Sequence, residues 1–151
     1  MAATDSSNLT VNAVVQNACA IGNGTLNFGN LALAVTAHAG TAGTTADSAA
    51  NSGSTVSVIC TLGATATING GLGLNLTSRK MQSGSDRLTY QLYTDSGAGT
   101  PLDSGSGSIA YIGTGTAGSV SIFGKVASAD IVAAKVGTYS DTVALTINYT
   151  P

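Results

Sequence analysis

The C-terminal residues of the chain alternate between apolar and polar side chains, and this pattern constrains the fold more than any other feature of the sequence. Apolar side chains occupy every second position from 143 to 149, with Ala, Thr and Asn between them, and the row consists of Val143, Leu145, Ile147 and Tyr149. Side chains of a strand point alternately to its two faces. The segment therefore predicts a β-strand with one buried face.

A second alternating run lies near the N-terminus, ahead of the first cysteine. Its apolar row consists of Leu9, Val11, Ala13 and Val15, and Val14 is the apolar residue on the opposite face. Further strand candidates are residues 25–28, 55–60, 64–68, 88–93, 108–112 and 119–126. Turn sequences rich in Gly, Asn and Asp separate these short runs, which is typical of an all-β sandwich or barrel.

Two regions show no clean period. Residues 31–52 are rich in Ala, Thr and Gly, and we interpret them as a long loop with one irregular strand. Residues 128–136 are compatible with one helical turn or with a strand, and the sequence does not decide between the two.

The composition excludes several classes of protein. Charged residues are 8% of the chain and hydrophobic residues 43%, whereas a disordered chain combines low hydrophobicity with high charge. Five scattered Lys and Arg residues and a net charge of −2 argue against a nucleic-acid partner. The chain contains no run of about 18 apolar residues, so the sequence predicts no membrane-spanning helix. The N-terminus lacks the pattern of a signal peptide, and we expect a mature chain to which Met1 was added.

The two cysteines, Cys19 and Cys60, predict the redox environment. They form no CxxC pair, and together with a single His they are a poor set of zinc ligands. An even count in a β-chain of low charge predicts one disulfide bond and an oxidising compartment. The alternative is a pair of buried free thiols.

Catalytic and metal-binding patterns are weak, so we predict neither an enzyme nor a cofactor. His38, the one histidine, lies among small residues, and we expect it to be a solvated loop residue rather than a catalytic base. The aspartates at 95, 103, 130 and 141 lack the spacing of a calcium loop. Asp141 is in phase with the inward row of the C-terminal strand, and we expect a turn or edge residue there.

Two charged pairs and four N-x-T sequons do not require a functional site to explain them. Arg79-Lys80 and Asp86-Arg87 are interpreted as charged turns, with a polar binding patch as the alternative. The sequons begin at Asn8, Asn23, Asn75 and Asn148. A chain so rich in Asn and Thr contains such triplets by chance.

Five blocks in order along the chain resemble the spore coat protein U-like domains, which include the major subunits of archaic (Csu-type) chaperone–usher pili. The blocks are residues 25–29 (TLNFG), 58–60 (VIC), 90–95 (YQLYTD), 122–124 (IFG) and 137–149 (GTYSDTVALTINY). They extend over most of the chain, with residues 31–52 unmatched.

The resemblance implies an all-β fold, an incomplete immunoglobulin-like β-sandwich completed by a donor strand from a neighbouring subunit. Residues 1–16 would be the N-terminal donor-strand segment and residues 17–151 the pilin β-sandwich domain. The donor row would be Leu9, Val11, Ala13 and Val15. The acceptor groove would be lined in part by Val143, Leu145, Ile147 and Tyr149.

The function implied is that of a structural pilin, which polymerises by donor-strand exchange into a bacterial surface fibre for adhesion or biofilm formation. Its partners would be identical subunits, a periplasmic chaperone and an outer-membrane usher. It would be secreted through the periplasm to a cell-surface fimbrium. Two alternatives remain: a fibre-tip adhesin, and a coat or matrix protein of the same fold that assembles differently.

Overall fold

Antiparallel β-strands dominate the computed structural model, which describes residues 1–31, 50–103 and 107–151. The strands are β1 (Cys19–Ile21), β2 (Ala50–Cys60), β3 (Thr65–Gly70), β4 (Lys80–Ser83), β5 (Asp86–Thr89), β6 (Gln91–Tyr93), β7 (Ile109–Ile112), β8 (Gly118–Val126) and β9 (Leu145–Tyr149). A short helix, α1 (Ser128–Ala133), lies between β8 and β9. The predicted all-β class is confirmed.

The strands form two larger sheets and a hairpin. One sheet has the order β1-β2-β8-β6, the second has the order β7-β3-β9, and β4 pairs with β5. The longest pairing joins β2 to β8, from Ala50 opposite Val126 to Val58 opposite Gly118. β1 and β9 each have one hydrogen-bonded neighbour among the described strands, so both are edge strands.

One hydrophobic core takes its side chains from both larger sheets. Every second residue of β3 is buried, including Ala66 and Ile68, and Val120, Ile122 and Val126 of β8 follow the same period. Val56, Val58 and Cys60 contribute from β2. Alternating burial is the outcome that the period-two sequence pattern predicts for strands with one face toward the core.

The predicted disulfide bond is present and joins β1 to β2. Cys19 and Cys60 are bonded at an S–S distance of 2.03 Å and are opposite each other in the antiparallel register. Cys60 is buried and Cys19 is partly buried, so the bond lies where the first strand meets the core.

Several strand boundaries differ from the sequence expectation. Residues 25–28 are not a strand, because the segment is held beside β2 by isolated bonds, from the Gly22 amide to the Ser57 carbonyl (2.8 Å) and from the Ser52 hydroxyl to the Asn27 carbonyl (2.6 Å). Residues 88–93 are divided between two pairings: the Tyr90 amide bonds to the Arg79 carbonyl (3.1 Å), which continues the β4–β5 register, and pairing with β8 begins at Gln91. β4 was not predicted.

The two regions without a period have different outcomes. Within 128–136 the structure contains the helix α1, whose Ile131 is buried and whose Asp130 lies in the first turn, where a negative charge is favourable. β2 begins at Ala50, five residues before the expected strand at 55. Residues 32–49, which include His38, lie outside the described residues.

The interpretation of Arg79 as part of a charged turn is wrong. Its side chain is 4% exposed, and its guanidinium donates to the carbonyls of Gly71 (2.9 Å), Gly70 (3.0 Å) and Leu102 and to Gln91 Oε1. Burial lowers the pKa of Arg79, and the surrounding Tyr90, Asp103 and Asp141 oppose that shift. Each nitrogen of the buried guanidinium thus has a hydrogen-bond partner, as buried polar groups generally do.

The second charged pair does lie at a turn. Asp86 is the first residue of β5, and its Oδ1 forms an ion pair with Lys135 Nζ at 2.8 Å. Arg87 is exposed, and its guanidinium donates to the carbonyls of Gly84 (2.9 Å) and Asp86 (3.0 Å). In the described residues, no helix has the length and apolar character needed to cross a bilayer.

Candidate functional site

An open groove lies on the side of the sandwich between the segment that follows β1 and the segment that leads into β9. Its volume is about 380 Å³. One wall is the segment 24–28, which continues from β1, and the other is the segment 139–145, which leads into β9. The groove is also lined by Ser54, Val56, Met81, Tyr90, Leu92 and Ile122.

Two apolar side chains form the first wall. Leu26 and Phe28 are half-buried, whereas Thr25 and Asn27 between them are exposed. Both side chains lie over Gly124 of β8, where an added Cβ would be 2.8 Å from the Phe28 ring and 3.0 Å from Leu26. The Phe28 ring also contacts Tyr90 edge-on, with centroids 6.3 Å apart. Residues 25–28 therefore act as a wall of the groove although they do not form a strand.

The C-terminal row forms part of the second wall. Val143 and Leu145 line the groove, while Ile147 is half-buried further along β9 and Tyr149 is 37% exposed. β9 pairs with β3 on one side, with Ile147 opposite Ile68. The other edge of β9 has no paired strand among the described residues, so its backbone groups can accept a further strand.

The floor of the groove is the hydrophobic core itself. Val56, Leu92 and Ile122 are each at most 6% exposed, yet all three line the groove. The open side therefore combines a sheet edge that is unpaired among the described strands with partly exposed apolar walls above the core. A polypeptide in β-conformation is the ligand that satisfies both features, because its backbone pairs with the edge and its alternate side chains cover the core.

One end of the groove is polar. The Tyr90 hydroxyl donates to Asp141 Oδ2 (2.6 Å), and Asp141 Oδ1 accepts the amides of Leu74 and Thr142 (both 2.8 Å). Burial, followed by the hydrogen bond and the charge of Asp141, raises the pKa of Tyr90. Asp141 is partly exposed, as expected for an edge residue, and it fixes the start of the second wall to the loop after β3.

The Tyr90–Asp141 pair was not predicted from the sequence. The available signal was the phase of Asp141, which lies two residues before Val143 in the inward row. Within the ranges 1–31, 50–103 and 107–151, no group of His, Cys, Asp and Glu side chains is arranged to hold a metal ion.

The N-terminal row lies apart from the groove of its own chain. Residues 1–16 have no regular structure and are exposed, with Leu9 88%, Val11 82%, Val14 86% and Val15 83% exposed. Next along the chain, the side-chain amide of Asn17 donates to the Thr150 carbonyl (2.8 Å). The Thr61 hydroxyl accepts the Ala18 amide (3.1 Å) and contacts the Gln16 carbonyl (3.2 Å).

Comparison with protein families identifies the family of the chain. The family model of the Spore Coat Protein U domain matches residues 5–146. The chain belongs to the Spore Coat Protein U domain family. The match extends over most of the exposed N-terminal segment and most of the sandwich. No curated protein matched the chain in a sequence comparison.

A solved structure shares the fold of this Spore Coat Protein U domain. It is the CsuC–CsuE chaperone–tip adhesion subunit pre-assembly complex from archaic chaperone–usher Csu pili of Acinetobacter baumannii. One of its chains matches with a TM-score of 0.59 and 19% identity over 88% of the present chain. The alignment covers 40% of that longer chain. The resemblance to this fold expected from the sequence is thus confirmed.

Proposed function

We propose that this Spore Coat Protein U domain is a structural subunit of a bacterial surface fibre that polymerises by donor-strand exchange. One observation carries the proposal: the same chain has an exposed amphipathic N-terminal segment and an open apolar groove beside an unpaired strand edge. The segment from one subunit would lie in the groove of the next, with Leu9, Val11, Ala13 and Val15 facing the core.

The energetics favour occupation of the groove. Burial of one Leu, two Val and one Ala contributes roughly 4–8 kcal/mol, at about 1.5–3 kcal/mol per large side chain. Backbone hydrogen bonds along the free edge of β9 add to this. Because the donating and accepting surfaces are different parts of the molecule, the contact is heterologous and extends into a filament.

The geometry disfavours insertion of the segment into the groove of its own chain. The segment leaves the domain beside Thr61 and Thr150, and to enter the adjacent groove it would have to reverse direction at residues 16–18. That stretch is Gln-Asn-Ala, without the Gly that tight two-residue hairpin turns favour, and its backbone and side chains are already bonded to the domain. Exchange between subunits avoids the reversal.

Assembly would require a periplasmic chaperone to cover the groove and an outer-membrane usher to exchange the chaperone for the next subunit. The Cys19–Cys60 disulfide supports folding in an oxidising compartment. The fold shared with a chaperone–subunit complex supports the same route. Identical subunits would then form a fimbrium outside the cell, with a role in adhesion or biofilm formation.

A matched pair of lysine substitutions tests the proposal. Val11→Lys places a charge on the inward row, whereas Val14→Lys places the same charge on the opposite face of the same segment. An unpaired buried charge costs several kcal/mol, so Val11→Lys should abolish fibres and Val14→Lys should retain them. Negative-stain electron microscopy and the SDS-resistant ladder of unboiled samples are the measurements.

Removal of residues 1–16 gives a second arm of the experiment. The truncated domain retains its groove, so it should still accept a wild-type segment and terminate growing fibres, which would shorten them in mixed expression. If the full chain formed fibres equally well with Val11→Lys, or if residues 9–15 paired within their own chain, donor-strand exchange would be refuted. The coat or matrix protein alternative would then be favoured.

A further inference from the structure

Three exposed leucines lie on the loop that follows β3. Leu72 is 46% exposed, Leu74 62% and Leu76 82%. We call residues 71–78 the leucine loop. It continues along the second wall of the groove, because the Gly71 amide donates to the Ala144 carbonyl (2.9 Å) and the Leu74 amide to Asp141 Oδ1 (2.8 Å). It therefore marks the Asp141 end of the groove.

Two other exposed apolar side chains lie at the opposite end of the sandwich. Leu62 is 76% exposed in the turn between β2 and β3, and Ile112 is 67% exposed at the end of β7. The two are neighbours through the loop after β7, since the Gly63 amide donates to the Gly113 carbonyl (2.9 Å) and Gly115 lies against Leu62. We call them the Leu62–Ile112 patch.

The N-terminal segment joins the rest of the chain beside this patch. Thr61, adjacent to Leu62, contacts the Gln16 carbonyl and the Ala18 amide, and Thr150 at the end of β9 holds Asn17. One end of the molecule thus carries the Leu62–Ile112 patch and the point where the donor segment joins the sandwich. The other end carries the leucine loop.

We propose that, in the fibre, the leucine loop of each subunit packs on the Leu62–Ile112 patch of the subunit that donates its N-terminal segment. This inference rests on the proposed function and adds a second contact between the same two subunits. The occupant of both surfaces is a second copy of this chain. Clustered exposed apolar side chains of this kind mark interaction sites in soluble proteins.

The orientation of the donor follows from which end of the groove is free. At the Thr150 end, the acceptor's own N-terminal segment leaves the domain, so a neighbouring domain fits at the Asp141 end. Val15 then lies at the Asp141 end, and the donor segment runs antiparallel to β9, which is also the more stable pairing. Only Gln16 separates Val15 from the anchored Asn17, a span of about 7 Å in an extended chain.

This short connection brings the two apolar surfaces together. The donor's Leu62–Ile112 patch must lie within a few residues' length of the acceptor's leucine loop. The two surfaces together contribute five apolar side chains, which is small for an interface that forms without a tether. Between subunits already joined by a short tether, the effective concentration is high enough for a weak contact to form. The contact fixes the angle between successive subunits.

The test compares fibres of the full chain by electron cryo-microscopy, measuring the axial spacing of subunits and the persistence length. Leu74→Ser with Leu76→Ser, and separately Leu62→Ser, should each lower the persistence length and make the subunit angle variable. Combining them should add no further loss, because both changes remove one contact. The matched control is Val136→Ser, since Val136 is fully exposed but belongs to neither surface.

A charge pair makes the test specific. Leu76→Glu and Leu62→Lys should each lower the persistence length alone, and a subunit carrying both should recover it in part.

If wild-type fibres form and these variants leave spacing and stiffness unchanged, the contact does not exist, while donor-strand exchange stands. Unchanged geometry with lost adsorption to an apolar surface would assign the leucine loop to surface binding and overturn the proposal. Absence of wild-type fibres would refute the proposed function itself.

Discussion

At the scale of single residues, the most unusual side chain is the buried Arg79. A charged group is rarely buried unless it is paired or fully hydrogen-bonded. Here the planar guanidinium reaches carbonyls from two parts of the chain, Gly70 and Gly71 at the end of β3 and Leu102 before β7, and the side chain of Gln91 in β6. Lysine could not reproduce this pattern, because its ammonium group lacks a planar fork of donors.

We predict that Arg79→Ala destabilises the subunit by about 2–4 kcal/mol, since charge-assisted hydrogen bonds are lost and buried carbonyls are left without donors. The measurement is urea unfolding of the purified subunit. Arg87→Ala is the control, because Arg87 is exposed and its guanidinium bonds to the carbonyls of the nearby Gly84 and Asp86. Its cost should be below about 0.5 kcal/mol. Equal effects of the two substitutions would show that the Arg79 network contributes little.

At the scale of elements, β9 is the strand on which assembly would depend. Its inner residues pack on the core, one edge pairs with β3, and the other edge has no paired strand in the part of the chain that the structure describes. The segment before it, through Asp141 and Val143, forms the groove wall. A single strand thus belongs to the subunit's own sheet and would supply the backbone to which the neighbour's strand pairs.

We predict that Leu145→Asp prevents fibre formation and lowers the yield of folded subunit, because its carboxylate would lie unpaired beside the core at a cost of several kcal/mol. Asn148→Asp introduces the same negative charge on the exposed face of β9 and should assemble normally. Fibre yield by electron microscopy and subunit yield from periplasmic extracts are the measurements. Normal assembly of the Leu145→Asp variant would contradict the place of Leu145 in the groove.

At the scale of the whole molecule, the sandwich is open on the side of the groove. Apolar side chains that line it, including Phe28, Val143 and Leu145, stay partly exposed in the isolated chain. The disulfide compensates in part, because it holds the edge strand β1 to β2 across a sequence separation of 41 residues. A covalent link of this kind reduces the conformational freedom of the unfolded chain.

We predict that Cys19→Ser with Cys60→Ser lowers the free energy of unfolding by about 4 kcal/mol, the chain-entropy value for a loop of this length. The wild-type protein with dithiothreitol should show the same decrease, while dithiothreitol should not affect the double variant. Urea unfolding monitored by circular dichroism gives both values. A decrease below about 1 kcal/mol would show that the disulfide does not act through the unfolded state.

Local patterns in the sequence were enough to predict the all-β class, most strands and the disulfide. Alternation from Val143 to Tyr149 and along the segments that became β2, β3 and β8 reports burial directly, since neighbouring side chains of a strand face opposite sides. With two cysteines in the chain, only one intramolecular pairing was available. The alternating pattern of the N-terminal row was also visible in its own residues.

The tertiary structure alone decided which segments pair and which polar groups are buried. Residues 25–28 have the composition of a strand but form a groove wall, because a ladder depends on a partner distant in sequence. The run 88–93 is divided at Tyr90 because its first part pairs with β4 and its second part with β8, and carbonyls from Gly70 and Leu102 converge on the buried Arg79. Hydrogen-bond partners and burial at such positions are set by long-range contacts, and a single segment of sequence does not contain them.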